Sequence, residues 1–436
     1  MAALFMLASG SALFSPAYGE TGTLHYESEP GDYIGQGETH TYTEADGTFT
    51  IFRTFDNGVN VNFQNGEWWY LNFAAPFAAE LTTGFYPDAQ RHPFQDADRP
   101  GLDFSGDGRG CNMLTGEFTV SDMVWDWFKI PRRFSATLEQ HCEGADPALY
   151  GSIDYDFGGI GPTSLTTGNL LVVTNNLLHE FQPDGTLVQR LPILGGETIP
   201  NGTEQARDVI VSPSGKIHLF NGTFDPVLSS FDPLTGEWRH DPHSDWGIES
   251  YADYGGIGAY SHYVFVTDQL SPMGILRFDT DTYQGKRFAG GFNYIDLTIG
   301  HDGLLYALQS DRSTIDVYDP SVLELLDTVT ISNNVRAIAV NTQGEIFAAS
   351  WDGLIYHFDA EGSQQASIDS GVGSLGDIDL ALTGEIVVGA GNDYVATTTE
   401  SLTSVDNFRP DYPAMNGIFV AFVEEPTVIF RNGFEE

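Results

Sequence analysis

Three aspartates recur at one position of a repeated pattern. Asp208, Asp296 and Asp377 each stand seven residues before a glycine: Gly215, Gly303 and Gly384. Arg207 and Arg336 stand eight residues before Gly215 and Gly344. Carboxylates gathered in one place, with arginines beside them, are groups that hold a divalent ion, polarise a carbonyl and lower the pKa of bound water. The same residue at the same place in separate repeats also suits another task, capping a turn and accepting a hydrogen bond from a neighbouring repeat. Recurrence favours that second task, because a catalytic centre departs from the repeat that carries it. A calcium-like ion is the cofactor that the first task would require.

Other polar groups invite chemistry less directly. Asp103, Ser105 and Asp107, followed by Gly108, match the first half of an oxygen-ligand calcium loop. The closing acid is missing, since Leu114 stands where an EF-hand places Glu. The alternative is a glycine-rich turn whose side chains bond local amides. The stretch from Trp238 to Gly256 is the longest insertion between repeats, and its Trp238, His240, His243 and Trp246 make it the candidate ligand-contacting loop. In Trp68-Trp69-Tyr70 the strand period puts one tryptophan in the core and the other at the surface, where it could stack on a sugar ring. No nucleophile elbow, phosphate loop or HExxH sequence occurs, and the histidines keep no common register.

The elements that must position these groups are β-strands. From Tyr294 to Ser363 the chain reads as two copies of one sentence: an alternating strand, a turn glycine, a small-residue strand, then a strand ending aromatic–Asp. Gly168, Gly215, Gly303, Gly344 and Gly384 open apolar strands, the last three at a spacing of about 40 residues. A further copy without the glycine runs around Tyr263–Gln269, which makes six. Phe181, Phe231, Phe278, Tyr318 and Phe358 mark an independent register, and Asp232, Asp279, Asp319 and Asp359 follow four of them, placed to start a turn. Such units cannot bury their own faces and must stack on neighbours. The phrase DVIVSPSGKIHLF and its partners resemble blades of NHL and YVTN-type propellers, over roughly 158–423. That resemblance implies a six-bladed β-propeller across 157–424, with seven blades as the alternative. It does not choose among adhesion scaffolds, lyases and metal-dependent lactonases. The strand Gly417–Glu424 is expected to close the ring, in the sixth blade or the first.

Residues 20–156 read as a β-sandwich. Asn57-Gly58 and Asn65-Gly66 punctuate alternating runs and predict hairpins. Cys111 and Cys142, the only cysteines, flank strands of this domain. In an exported chain an isolated pair is expected to form a disulfide, although His141 beside Cys142 leaves a metal site or a reactive thiol as competing readings. The segments around both cysteines and the GDYIGQGETHTYT opening resemble a domain of exported bacterial proteins without an assigned activity.

Eighteen basic residues against sixty-one acidic ones give a formal charge of −43. Such a surface repels nucleic acid and anionic lipid. Residues 1–19 carry an apolar run and then small residues, the pattern of a secretory signal peptide, and no stretch is long enough to span a bilayer. The tail 425–436 resembles an IFxxGFE-type C-terminal signature of exported bacterial proteins. The all-β chain is thus expected to be secreted, at the cell surface, in the periplasm or outside the cell, as a monomeric, non-catalytic binding protein for a protein or glycan. A metal-dependent hydrolase, lactonase or lyase is the alternative.

Overall fold

The computed structural model describes residues 21–126, 129–158, 161–174, 177–194, 206–221, 226–248, 250–251, 255–391, 393–410 and 418–424. The expected signal peptide 1–19 and tail 425–436 lie outside the described residues. Apart from two short 3-10 turns, Pro76–Ala78 and His243–Trp246, the described elements are strands. No described helix is long and apolar enough to cross a membrane.

The N-terminal strands form one ten-stranded sheet. Its edges are Thr39–Thr43, which pairs with Thr21–Ser28, and Thr48–Arg53, which pairs with Val59–Gln64. Thr21–Ser28 alternates exposed and buried residues, so Leu24 and Tyr26 enter one core while their neighbours face water. The two packed faces expected of a sandwich come from this single sheet curling on itself. Tyr42 and Phe63, from strands near opposite edges, stack with ring centroids 4.7 Å apart. Gly22 faces the Phe49 ring so closely that an added Cβ would lie 2.5 Å from it. A single buried cluster from Leu24 to Leu177 fills the curl. Cys111 and Cys142 are disulfide-bonded and buried in it, as expected from the isolated pair.

Six four-stranded sheets follow, one per repeat. The innermost strands of blades two to six are Ala206–Val211, Ile257–Tyr260, Tyr294–Ile299, Val335–Val340 and Leu375–Leu380. Blade one takes its innermost strand from the far end of the chain: Phe419–Phe422 pairs antiparallel with Leu170–Thr174. The ring therefore closes in the first blade. Gly168, Gly215, Gly303, Gly344 and Gly384 all have φ between 78° and 92°, which a side chain would resist. Asp232, Asp279 and Asp319 each accept a backbone N–H two residues on, as turn-starting aspartates do.

The second strands of blades one and five, Leu170–Thr174 and Ile346–Ser350, are buried throughout and almost wholly apolar because both faces are covered by neighbouring blades. Ile338, Ile346 and Phe358 of blade five pack with Leu308 and Ile315 of blade four, while Phe347 and Ile355 turn to Ile386 and Val388 of blade six. Each such aliphatic side chain contributes about 1.5–3 kcal/mol on burial. Stability is thus distributed between neighbours around the ring.

Candidate functional site

The innermost strands surround a central cavity of about 400 Å³. Asp208, Asp296 and Asp377 line it near the start of their strands, in blades two, four and six. Each follows a break in register, between Ala206 and Asp208, Tyr294 and Asp296, and Leu375 and Asp377. A bulge of this kind bends the strand and re-aims the side chain. Here the bulged aspartate reaches across to the next blade.

Asp208 Oδ2 accepts the backbone N–H of Ile257 at 2.9 Å. Asp296 Oδ2 accepts that of Ile338 at 2.7 Å, and Asp377 Oδ2 that of Val420 at 2.7 Å. The pairs join blade two to three, four to five, and six to one. Asp208 and Asp377 also accept the N–H of the following residue in their own strand, at 2.7 and 2.8 Å. Asp379 repeats the device one step along, accepting Phe422 N–H at 2.7 Å. Alternate blades are stitched by carboxylates, and the last stitch secures the ring closure.

Burial pushes all these carboxyls up, and their mutual repulsion adds to it for Asp208 and Asp296. Asp377 is pushed up to about 6 and Asp379 to about 7, in both cases chiefly by burial. The N–H bonds and, for Asp296 and Asp377, the Arg336 guanidinium oppose that rise. Arg336 also lies over the ring of Trp351, 4.3 Å from its centroid. Arg207 precedes the first stitching aspartate, and its carbonyl lies against Gly255.

The other end of the cavity holds groups that the sequence pattern did not single out. His301 Nε2 lies 3.9 Å from Glu424 Oε1, and the Leu382 N–H donates to that same oxygen at 2.6 Å. Burial depresses His301. Asp379 stands two residues after Asp377 on an inner strand, so the period of two could have found it. His301 and Glu424 have no repeat register, and only the closure of the ring brings them together.

The remaining candidates lie elsewhere. Asp103 and Ser105 sit on the strand Gly101–Gly106 and bond to each other at 2.8 Å, while Asp107 pairs with Arg109 at 3.2 Å. Burial raises Asp103. Among the described residues no group of three or more His, Cys, Asp or Glu is placed to hold a metal ion. Trp69 is buried and Trp68 exposed, as the strand period requires.

The insertion expected from Trp238 begins later: Trp238 and His240 belong to the outermost strand of blade two, Glu237–Pro242, and the connector after it turns His243 and Trp246 inward. His243 is fully buried, its ring stacked on Phe220 and its Nδ1 2.6 Å from Ser250 Oγ. Trp246 packs on Phe278. Trp238 lies against Phe231, and His240 Nε2 meets the Leu194 carbonyl at 2.7 Å. Burial lowers His240 to about 4 and His243 to about 3, so both are neutral at physiological pH. These four residues join the blades' packing rather than an open loop.

No family model matches the chain, and no curated protein matches it. Solved structures do resemble it at the level of fold. One described as a nidogen/laminin complex is 11% identical, covers 59% of this chain and 99% of its own, and has a TM-score of 0.46. A Bacteroides caccae protein of unknown function is 12% identical over 59% of this chain and 98% of its own, with a TM-score of 0.42. Virginiamycin B lyase from Staphylococcus aureus is 12% identical over 58% of this chain and 85% of its own, with a TM-score of 0.40.

Proposed function

We propose that the chain is an exported, non-catalytic binding protein that presents a protein or glycan partner with a six-bladed propeller and a disulfide-stapled β-domain. The observation that carries this reading is the engagement of the channel carboxylates. Asp208 and Asp377 use both oxygens to hold backbone N–H groups, two of them from neighbouring blades. Carboxylates committed in this way hold strands together and are poor ligands for a reacting ion. The buried disulfide and the apolar leader support export.

A second reading, a hydrolase, lactonase or lyase using a calcium-like ion, draws on the acids that share the cavity with His301. Chelator dialysis followed by thermal melting and elemental analysis separates the two. Binding function alone predicts an unchanged melting temperature and no stoichiometric ion. A stoichiometric ion whose removal lowers the melting temperature would overturn the non-catalytic reading. A labelled full-length chain applied to a glycan array tests the glycan partner, with saturable binding that survives chelation as the expected result.

A further inference from the structure

The outer face of the N-terminal sheet carries a groove of about 350 Å³. Two cross-strand rows of side chains line it. In the first, Phe85, Thr119, Thr137, Ser152 and His25 stand opposite one another across five strands. In the second, Glu117 faces Glu139, Glu139 faces Tyr150, and Tyr150 faces Glu27. Strand alternation sends the neighbours Phe118, Leu138 and Ile153 into the core and leaves these rows outside. Phe85 is 58% exposed and Tyr150 43%. They stand three strands apart, about 14 Å at the ordinary strand spacing, with threonine and serine hydroxyls between them. Aromatic faces joined by a run of hydroxyls suit successive sugar rings, whose C–H faces stack on the aromatics while their hydroxyls meet polar side chains.

Charge narrows the class of sugar. Glu117 and Glu139 are direct cross-strand partners, and like charges so placed cost stability. Glu139 has His141 Nε2 at 3.1 Å, whereas Glu27 and Glu117 are exposed, and no lysine or arginine lines the groove. The Glu139 charge is the chief cause of a raised Tyr150 phenol, and Glu29 and Glu27 add to it. A cationic occupant relieves this repulsion. The floor strands Thr21–Ser28, Ala148–Asp156, Pro131–Cys142 and Leu114–Trp125 are each paired on both sides, so a peptide finds no backbone edge to extend.

We propose that this groove binds a linear glycan bearing free amino groups, a polymer of the glucosamine type, with its rings on Phe85 and Tyr150 and its ammonium groups over Glu27, Glu117 and Glu139. The inference rests on the glycan-binding reading of the chain and adds to it the sugar class and the face that holds it. The formal charge of −43 draws such a polymer in from a distance.

Titration calorimetry of the full-length protein with a glucosamine hexamer is expected to show saturable binding that weakens with salt. The N-acetylated hexamer, equal in length and uncharged, is expected to bind at least tenfold more weakly. Glu27→Gln/Glu117→Gln should lose at least tenfold toward the glucosamine hexamer yet melt no lower than wild type, because it removes the like-charge contact. Phe85→Ala/Tyr150→Ala should lose as much at an unchanged melting temperature. Glu324→Gln/Glu361→Gln, the same charge change at exposed propeller residues, should stay within twofold. Equal affinity for the two hexamers, or equal affinity in wild type and groove variants, overturns the proposal, as does no binding of the glucosamine hexamer. Groove-dependent binding of an oligolysine peptide with the hexamer unbound overturns it in favour of a basic protein partner. If a glycan array then shows another sugar bound, the proposal fails and the glycan-binding reading stands. An array with no sugar bound overturns both.

Discussion

Asp377 of blade six accepts the backbone N–H of Val420, the strand that completes blade one, at 2.7 Å. One carboxylate thus ties the last repeat to the first. Its other oxygen holds Ile378 at 2.8 Å, so two backbone donors depend on it. Asp377→Ala leaves both buried and unpaired, at about 1–3 kcal/mol each, and removes one repulsive neighbour of Asp208 and Asp296. The expected net result is a lower melting temperature. Asp377→Asn keeps one acceptor and costs less. A variant that melts above the wild type would show that repulsion outweighs the stitch.

The stability of the propeller is expected to fall as pH rises through the range from about 4 to about 7. Asp377 and Asp379 have folded values of about 6 and about 7, both above their unfolded value. In that interval the native state binds more protons than the unfolded chain, so the slope of stability with pH is negative. The wild type is expected to melt about 2–4 °C higher at pH 5 than at pH 7.5. Acidification also relieves the −43 overall charge. Asp379→Asn isolates the channel contribution: its melting curve should shift less over the same interval.

Denatured, unreduced protein should titrate with no free thiol. The disulfide closes a loop of 31 residues, which in the chain-entropy model is worth ~3–4 kcal/mol. Reduction, or Cys111→Ser/Cys142→Ser, is expected to lower the melting transition of the N-terminal sheet and to leave the propeller transition in place. Calorimetry resolves the two. Loss of the propeller transition on reduction would show that the domains unfold together.

Removal of residues 418–436 takes away the innermost strand of blade one, along with the backbone donors Val420 and Phe422. Leu170–Thr174 then becomes an open edge, and the stitches from Asp377 and Asp379 lose their donors. The propeller is expected to lose its cooperative transition, read by circular dichroism and limited proteolysis. Removal of 425–436 alone should leave it intact.

A single buried side chain in blade four offers an independent check on the packing. Asp316 accepts Tyr294 Oη at 2.7 Å, Gln309 Nε2 at 2.8 Å and Thr328 Oγ1 at 2.8 Å. Asp316→Ala removes the acceptor of Gln309 and of the exposed Thr328 and leaves Tyr294 Oη with Tyr318 Oη, 2.8 Å away, and a loss of about 1–3 kcal/mol in chemical denaturation is expected. Asp316→Asn should recover part of it.

The sequence by itself determined what is local. Turn glycines such as Gly344, the aromatic–Asp register at Tyr318–Asp319 and the runs of small apolar residues such as Ile346–Ser350 specify a blade. Each signal lies within a few residues of the turn or strand it makes. Six blades followed from counting them. The architectural task of Asp208, Asp296 and Asp377 was also legible, because the position recurs. Tertiary structure alone decided the partners. Asp208 meets Ile257 across 49 residues and Asp377 meets Val420 across 43, distances over which no short pattern carries information. The same holds for the insertion with His243 and Trp246, which reads as polar and loop-like but is drawn inside because Phe220 and Phe278 from adjacent blades leave a space that aromatic rings fill. It holds for the N-terminal strands too, whose alternation shows that one face is buried but not that a single sheet would curl to bury it. Side-chain period is a property of the strand, whereas curvature, closure and contact between repeats depend on residues far apart in the chain meeting in space.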